Sequence, residues 1–248
     1  MQYSTFAAID IGSYDVILEI FEISKKQGIR SVDKICHRME LGKDTYTLGK
    51  IRPEMEEELC RVLADFVRIM EGYRVDDYRA TASSAISEAS NSLYVLGKIH
   101  QLTGLSVTVL SNSEQRFLSY KALAAMEDNF NKIIEKGTAI LDLDGGSFQI
   151  SLFDKDALVT TQNIRMGSLR IRERLAGIQS ETEHYEEMVE ELIWNEVSSF
   201  KKMYLKDRKI ENIMLIGDVF TDSVYQNIEE KTTKIISREN FNTWYEKI

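Results

Sequence analysis

The sequence predicts an α/β protein built as two facing lobes, each a mixed sheet flanked by helices, with a cleft between them. Three observations carry this. A short acid-and-glycine motif occurs twice, as Asp10-Ile11-Gly12-Ser13 and as Asp142-Leu143-Asp144-Gly145-Gly146-Ser147. Each copy follows a strand-like apolar run, Phe6-Ala7-Ala8-Ile9 or Ala139-Ile140-Leu141, and precedes another strand-like stretch. Between the copies, consecutive strands give way to alternating strand and helix, which implies parallel pairing. Repetition at the same point of a supersecondary unit points to duplicated architecture more than to turn chemistry alone.

The elements follow in order. Residues 4–11, 15–23 and 29–41 are rich in Ile, Val and Phe, with loops at Gly12-Ser13 and Lys25-Lys26-Gln27-Gly28, and are expected to form a three-stranded meander. Pro53 stands at a helix start, and Met55, Leu59, Val62, Leu63, Phe66 and Met70 recur at helical spacing up to Gly72. A strand at Tyr78–Thr81, a helix through Leu93, Leu96 and Ile99, a strand at Ser106–Leu110 and a helix from Ser113 to Met126 give βαβα. The chain turns polar at 128–137, then restarts with strands over 138–153 and 157–164, which sets the lobes at 1–125 and 126–248. Tyr185, Met188, Val189, Leu192, Ile193 and Phe200 mark a long amphipathic helix, and Ile213–Ile216 a buried strand. A short helix, a strand at Thr232–Ile236 and a terminal helix are expected to finish the chain.

With 248 residues, 43% hydrophobic and 29% charged, the chain can hold two lobes with adequate cores. Lys plus Arg number 31 against 40 for Asp plus Glu, a net charge of −9 that argues against nonspecific binding to nucleic acid. Any phosphate bound must be held by local groups. No run approaches the ~20 apolar residues that span a bilayer, and the N-terminus lacks a signal pattern, so no membrane partner and a cytoplasmic location are expected. Cys36 and Cys60 lie in apolar or helical patterns and are expected to be buried, reduced thiols. His37, His100 and His184 are scattered without nucleophile partners, and Glu56-Glu57-Glu58 reads as a solvated helix face.

A carboxylate at a strand end, followed by a glycine turn with exposed N–H groups and a hydroxyl, offers what a phosphate and its counter-cation need. The chain also resembles the exopolyphosphatase and guanosine pentaphosphate phosphohydrolase (Ppx/GppA) family of the actin-like ATPase superfamily. The resemblance spans about residues 5–220. It rests on Phe6–Ser13, Arg38–Gly42 with Gly49, Ala82–Ala89, Thr103-Gly104 with Val109–Ser111, Asp142–Ser147, and Met166–Arg170. It implies a two-lobed actin-like, ribonuclease H-like fold and a cleft for polyphosphate or pppGpp. It further implies Mg²⁺-dependent (or Mn²⁺-dependent) hydrolysis of the terminal phosphoanhydride and, as in many members, a homodimer. On that reading Gly12, Ser13, Gly145, Gly146 and Ser147 hold phosphate, Asp10 and Asp142 face the metal, and Glu114 or Gln115 positions water.

The departures fall on polar positions. Where the family has a second glutamate, usually taken as the catalytic base, this chain has Gln115. A glutamine orients water but accepts no proton, so general-base catalysis worth roughly 10²–10⁴-fold is expected to be missing there. Glu114 is adjacent, but neighbouring helix residues point about 100° apart. The second loop carries Asp144, Phe148 and Gln149 where the family has glycine, threonine and glutamate. Asp144 either repels phosphate or joins Asp10 and Asp142 in an oxygen-ligand site for a divalent cation. Ser87 stands where the family has a phosphate-contacting arginine, and Ile216–Thr221 replaces a glycine-rich loop. The first loop reads Ser13-Tyr14-Asp15, with Asp15 facing either cleft or solvent, and the second lobe is expected to be shortened. Two functions follow: a weakened phosphoanhydride hydrolase, or a nucleotide- or phosphate-binding regulatory protein on the same fold.

Overall fold

The computed structural model describes residues 3–26, 28–127, 129–178, 183–217 and 237–245. The expected strand at 232–236, the short helix before it and the loop from Asp218 onward lie outside the described residues. Two sheets repeat one plan. In the first lobe β1 (Ser4–Ile11), β2 (Asp15–Ser24) and β3 (Gly28–Arg38) form the meander. After α1 (Leu41–Leu48) and α2 (Pro53–Tyr73), β4 (Asp77–Ala82) returns parallel to β1. The helices α3 (Ser84–Ser87) and α4 (Ser92–Thr103) then lead to β5 (Val107–Val109), so the order is β3-β2-β1-β4-β5.

The helices α5 (Asn112–Met126) and α6 (Phe130–Ile134) lead into β6 (Thr138–Leu143), β7 (Phe148–Asp154) and β8 (Ala157–Ile164). Beyond α7 (Ser168–Leu175) and α8 (Tyr185–Tyr204), β9 (Asn212–Ile216) adds parallel to β6, giving the order β8-β7-β6-β9. A last helix, α9, covers Arg238–Tyr245. The mixed sheets flanked by helices are those of the actin-like fold.

Strand alternation builds the cores. Ile9, Ile11, Val16, Leu18 and Ile20 point to one face of the first sheet and meet Leu59, Leu63 and Phe66 of α2 and Val95 and Ile99 of α4. In the second sheet Phe148, Ile150 and Leu152 pack with Phe200 of α8. On its other face Ile140 and Phe153 pack with Phe130 and Ile134 of α6 and with Tyr120 and Leu123 of α5.

Five expectations change. Residues 39–41 leave the strand because Glu40 turns left-handed (φ 49°) and opens α1, which hydrophobic spacing did not reveal. The polar stretch before β6 holds α6, and the segment after β8 holds α7. Cys36 is exposed, on the face of edge strand β3 opposite Ile35, whereas Cys60 is buried in α2. Glu56 is not solvated: it is buried and pairs with Lys98 Nζ at 2.6 Å, tying α2 to α4. Among the described residues β9 is an edge strand with Ile213 and Leu215 exposed, while Met214 and Ile216 on its other face meet the α5–α6 side.

Candidate active site

The two motif copies form equivalent hairpins. In the first, Ile11 pairs with Val16 and the Gly12 N–H donates to the Asp15 carbonyl at 2.9 Å. In the second, Leu143 pairs with Phe148 and the Asp144 N–H donates to the Ser147 carbonyl at 3.0 Å. This register matches Asp10 with Asp142 and Gly12 with Asp144. The loops share a backbone bond, and the second carries a carboxylate where the first has no side chain.

Asp10 is exposed at the end of β1, with the Thr81 hydroxyl 3.3 Å away. Asp142 accepts from Ser119 Oγ of α5 at 3.1 Å. Asp144 Oδ1 accepts the N–H of its neighbour Gly145 at 2.6 Å, so the loop amide meets its own carboxylate. Among the described residues no three acidic, imidazole or thiol groups gather as a metal-holding cluster, so the three aspartates do not form a single cage. Ser147 Oγ accepts from Asn163 Nδ2 at 3.2 Å.

The candidate phosphate groups Ser13, Gly145 and Gly146 are buried where the hairpins meet. Ser13 Oγ lies 2.6 Å from the Tyr46 hydroxyl and 3.2 Å from Ser84 Oγ, and Tyr46 is 2.8 Å from Ser84. These hydroxyls fill the space beside Gly146, where a side-chain carbon would collide with Tyr46 and Ser84. One at Gly145 would lie 2.9 Å from the Tyr14 ring. Glycine is therefore required here by close approach between lobes. Burial pushes the Tyr46 phenol up, so it stays protonated and can donate within the trio.

Charge closes the seam above and below. Arg170 stacks on the Tyr46 ring with its guanidinium 3.8 Å from the centroid, donates to the Gly146 carbonyl at 2.8 Å, and reaches both oxygens of Glu88 at 3.0 Å. Arg165 joins Glu88 at 2.7 Å. Arg172 grips Glu40 through Nη2 at 2.5 Å and Nη1 at 3.1 Å, and donates to the Tyr14 hydroxyl. That guanidinium holds the Glu40 carboxyl below its ordinary range.

At the head of α5, Ser111 and Glu114 form a reciprocal capping box. Glu114 Oε2 accepts from the Ser111 N–H at 2.9 Å and from its hydroxyl at 2.7 Å, while Ser111 Oγ accepts the Glu114 N–H at 3.3 Å. Those bonds lower the Glu114 pKa, so it is a weaker base than an ordinary carboxylate. Gln115 is half-buried in the same first turn. Ser87 is exposed. Sequence reasoning missed Tyr46, Ser84 and the roles of Glu40, Glu88, Arg165 and Arg172. Only the inclusion of Glu40, Ser84, Glu88 and Arg170 in motif stretches signalled any of this.

The paired sheets and facing acid-and-glycine hairpins define a protein of the actin-like class. Within that class the chain belongs to the Ppx/GppA phosphatase family, whose model matches residues 19–248. It is similar to a bifunctional 3-dehydroquinate synthase/phosphatase of Fusobacterium nucleatum, 22% identical over 91% of this chain and 34% of that protein. It is also similar to exopolyphosphatase 1 of Mycobacterium leprae, 25% identical over 58% of this chain and 41% of the relative. The chain thus spans well under half the length of these curated relatives. Among solved structures, an exopolyphosphatase from Cytophaga hutchinsonii matches with a TM-score of 0.76 at 20% identity, over 98% of this chain and 79% of the other. The Aquifex aeolicus Ppx/GppA family member matches at 0.73 and 21% identity, over 99% and 79%. Identities this low establish the fold.

Proposed function

We propose that this chain binds the terminal phosphates of a polyphosphate or a guanosine polyphosphate such as pppGpp at the lobe seam and hydrolyses the terminal phosphoanhydride slowly. The observation that carries the reading is the pair of equivalent hairpins, which bring Asp10 and Asp142 to matching strand ends at the seam in a chain of this family. Mg²⁺ is usually held by one or two carboxylates together with substrate phosphates. Asp10 and Asp142 suit that mode, with Mn²⁺ as a substitute, and a cage of three aspartates is not needed. When bound, the ion supplies charge neutralisation for the departing phosphate. The chain's own groups do the rest. With the Gly12 N–H held by Asp15 and the Gly145 N–H by Asp144, the loop amides of Ser13, Gly146 and Ser147 orient phosphate oxygens once the hydroxyl trio yields the space. Gln115 holds the attacking water by hydrogen bonds, a role that phosphoryl transfer tolerates because positioning and electrostatics supply most of its catalysis.

A second reading, binding or regulation without turnover, is favoured by one specific observation. Glu114 is committed to its helix cap, which leaves no carboxylate at the head of α5 to take a proton. The test measures phosphate release from polyphosphate and from pppGpp with Mg²⁺ or Mn²⁺. Native release that disappears in Asp10→Ala supports hydrolysis, and Gln115→Glu should raise the rate by about tenfold or more. If both the native chain and Gln115→Glu are silent while polyphosphate still raises the melting temperature, the hydrolase reading fails and the binding reading stands.

A further inference from the structure

Ser87 is exposed, and the residue after it, Glu88, accepts two guanidinium groups from the second lobe. The two are not equivalent. Arg170 is 20% exposed, stacked on Tyr46, bonded to the Gly146 carbonyl and to both Glu88 oxygens. It is part of the seam. Arg165 is 67% exposed, and Glu88 is its one ionic partner among the described residues.

The backbone around Arg165 is pinned to the second loop on both sides. Asn163, two residues before it, donates to Ser147 Oγ at 3.2 Å. Gly167, two residues after it, is pressed so closely on the backbone of Asp144, Gly145 and Ser147 that no side chain fits there. From that rim the Arg165 side chain reaches across to Glu88, next to exposed Ser87.

We propose that Arg165 is a phosphate-binding arginine of this chain, delivered from the rim of the second loop to the seam beside Ser87 and Glu88. The inference rests on the phosphate-cleft reading above and adds a residue to it. An exposed ion pair contributes little, so leaving Glu88 is cheap. Glu88 is not orphaned by the move, because Arg170 still holds both of its oxygens. A terminal phosphate offers the guanidinium charge-assisted, bidentate hydrogen bonds that are stronger than the exposed pair it gives up.

The experiment titrates short-chain polyphosphate with Mg²⁺ into the full chain by calorimetry, comparing native, Arg165→Ala, Arg165→Lys and the double variant Ser87→Arg/Arg165→Ala, with melting temperatures in parallel. Arg165→Ala should weaken binding about 10- to 100-fold with its melting temperature unchanged, and Arg165→Lys should fall between, since it keeps charge without the fork. The double variant should recover most of the affinity. Native-like affinity in Arg165→Ala, loss without recovery in the double variant, or loss accompanied by a lower melting temperature would each overturn the assignment. If the native chain itself does not bind polyphosphate, the phosphate-cleft reading is what fails, and the inference goes with it.

Discussion

Asp44 is 1% exposed, yet its carboxylate accepts from the Arg52 N–H at 2.9 Å and from Arg52 Nε at 2.9 Å, joining α1 to the start of α2. Asp44→Ala leaves the backbone donor unpaired, and a urea titration should read a loss of about 2 kcal/mol. Tyr46 is a different case. Tyr46→Phe keeps the ring under Arg170 and leaves Ser13 and Ser84, 3.2 Å apart, to bond each other. The expected cost is therefore smaller, about 1 kcal/mol by the same measurement, and a loss several times larger would mean the trio is coupled beyond its pairwise bonds. Neither residue was legible in sequence as part of a site. Thr-Tyr-Thr at 45–47 sits in a helix turn with no periodic or motif signal, and its partners are Ser13 and Ser84, far away along the chain.

At the scale of elements, α5 serves two masters. Its first turn carries Glu114 and Gln115, while Tyr120 bonds Ser151 at 2.5 Å and Leu123 packs on the second sheet. Because the Glu114 carboxylate is committed to the capping box with Ser111, Glu114→Gln should leave phosphate release within about twofold of native, whereas a catalytic base in that position would lose far more. Ser111→Ala should cost about 1 kcal/mol of stability through the lost cap. The long helices and all nine described strands were legible because periods of 3.6 and 2 are written by near neighbours. The short helices α1, α3, α6 and α7 were not, since one or two turns leave too few residues for a period to emerge. The equivalence of Gly12 with Asp144 likewise needed the strand register, which places the loops by pairing and not by motif letters.

Across the whole molecule, the Glu40–Arg172 pair links the first hairpin's lobe to α7, and its titration gives the seam a pH dependence. Arg172 depresses the Glu40 pKa, so the folded state binds a proton there less readily than the unfolded chain. The contribution to stability is fully present above the ordinary carboxylate value of about 4.3 and is lost as pH falls through the lower folded value. Thermal melts between neutral pH and about pH 3 should therefore fall less steeply in Arg172→Met than in the native chain, and identical slopes would show that the pair is too well screened to matter.

By itself the sequence determined the α/β class, the duplicated strand–turn–strand plan, the order of the long elements and the family, all of which depend on patterns within a few residues of each other. Tertiary structure alone decided that Ser13, Gly145 and Gly146 meet under a tyrosine, that Glu56 is buried, and that Glu88 gathers arginines from the other lobe. Arg170 and Glu88 stand 82 residues apart, and Arg172 and Glu40 stand 132 apart. Pairs that distant are chosen by how two folded sheets come together, a long-range event that leaves no periodic trace in the chain.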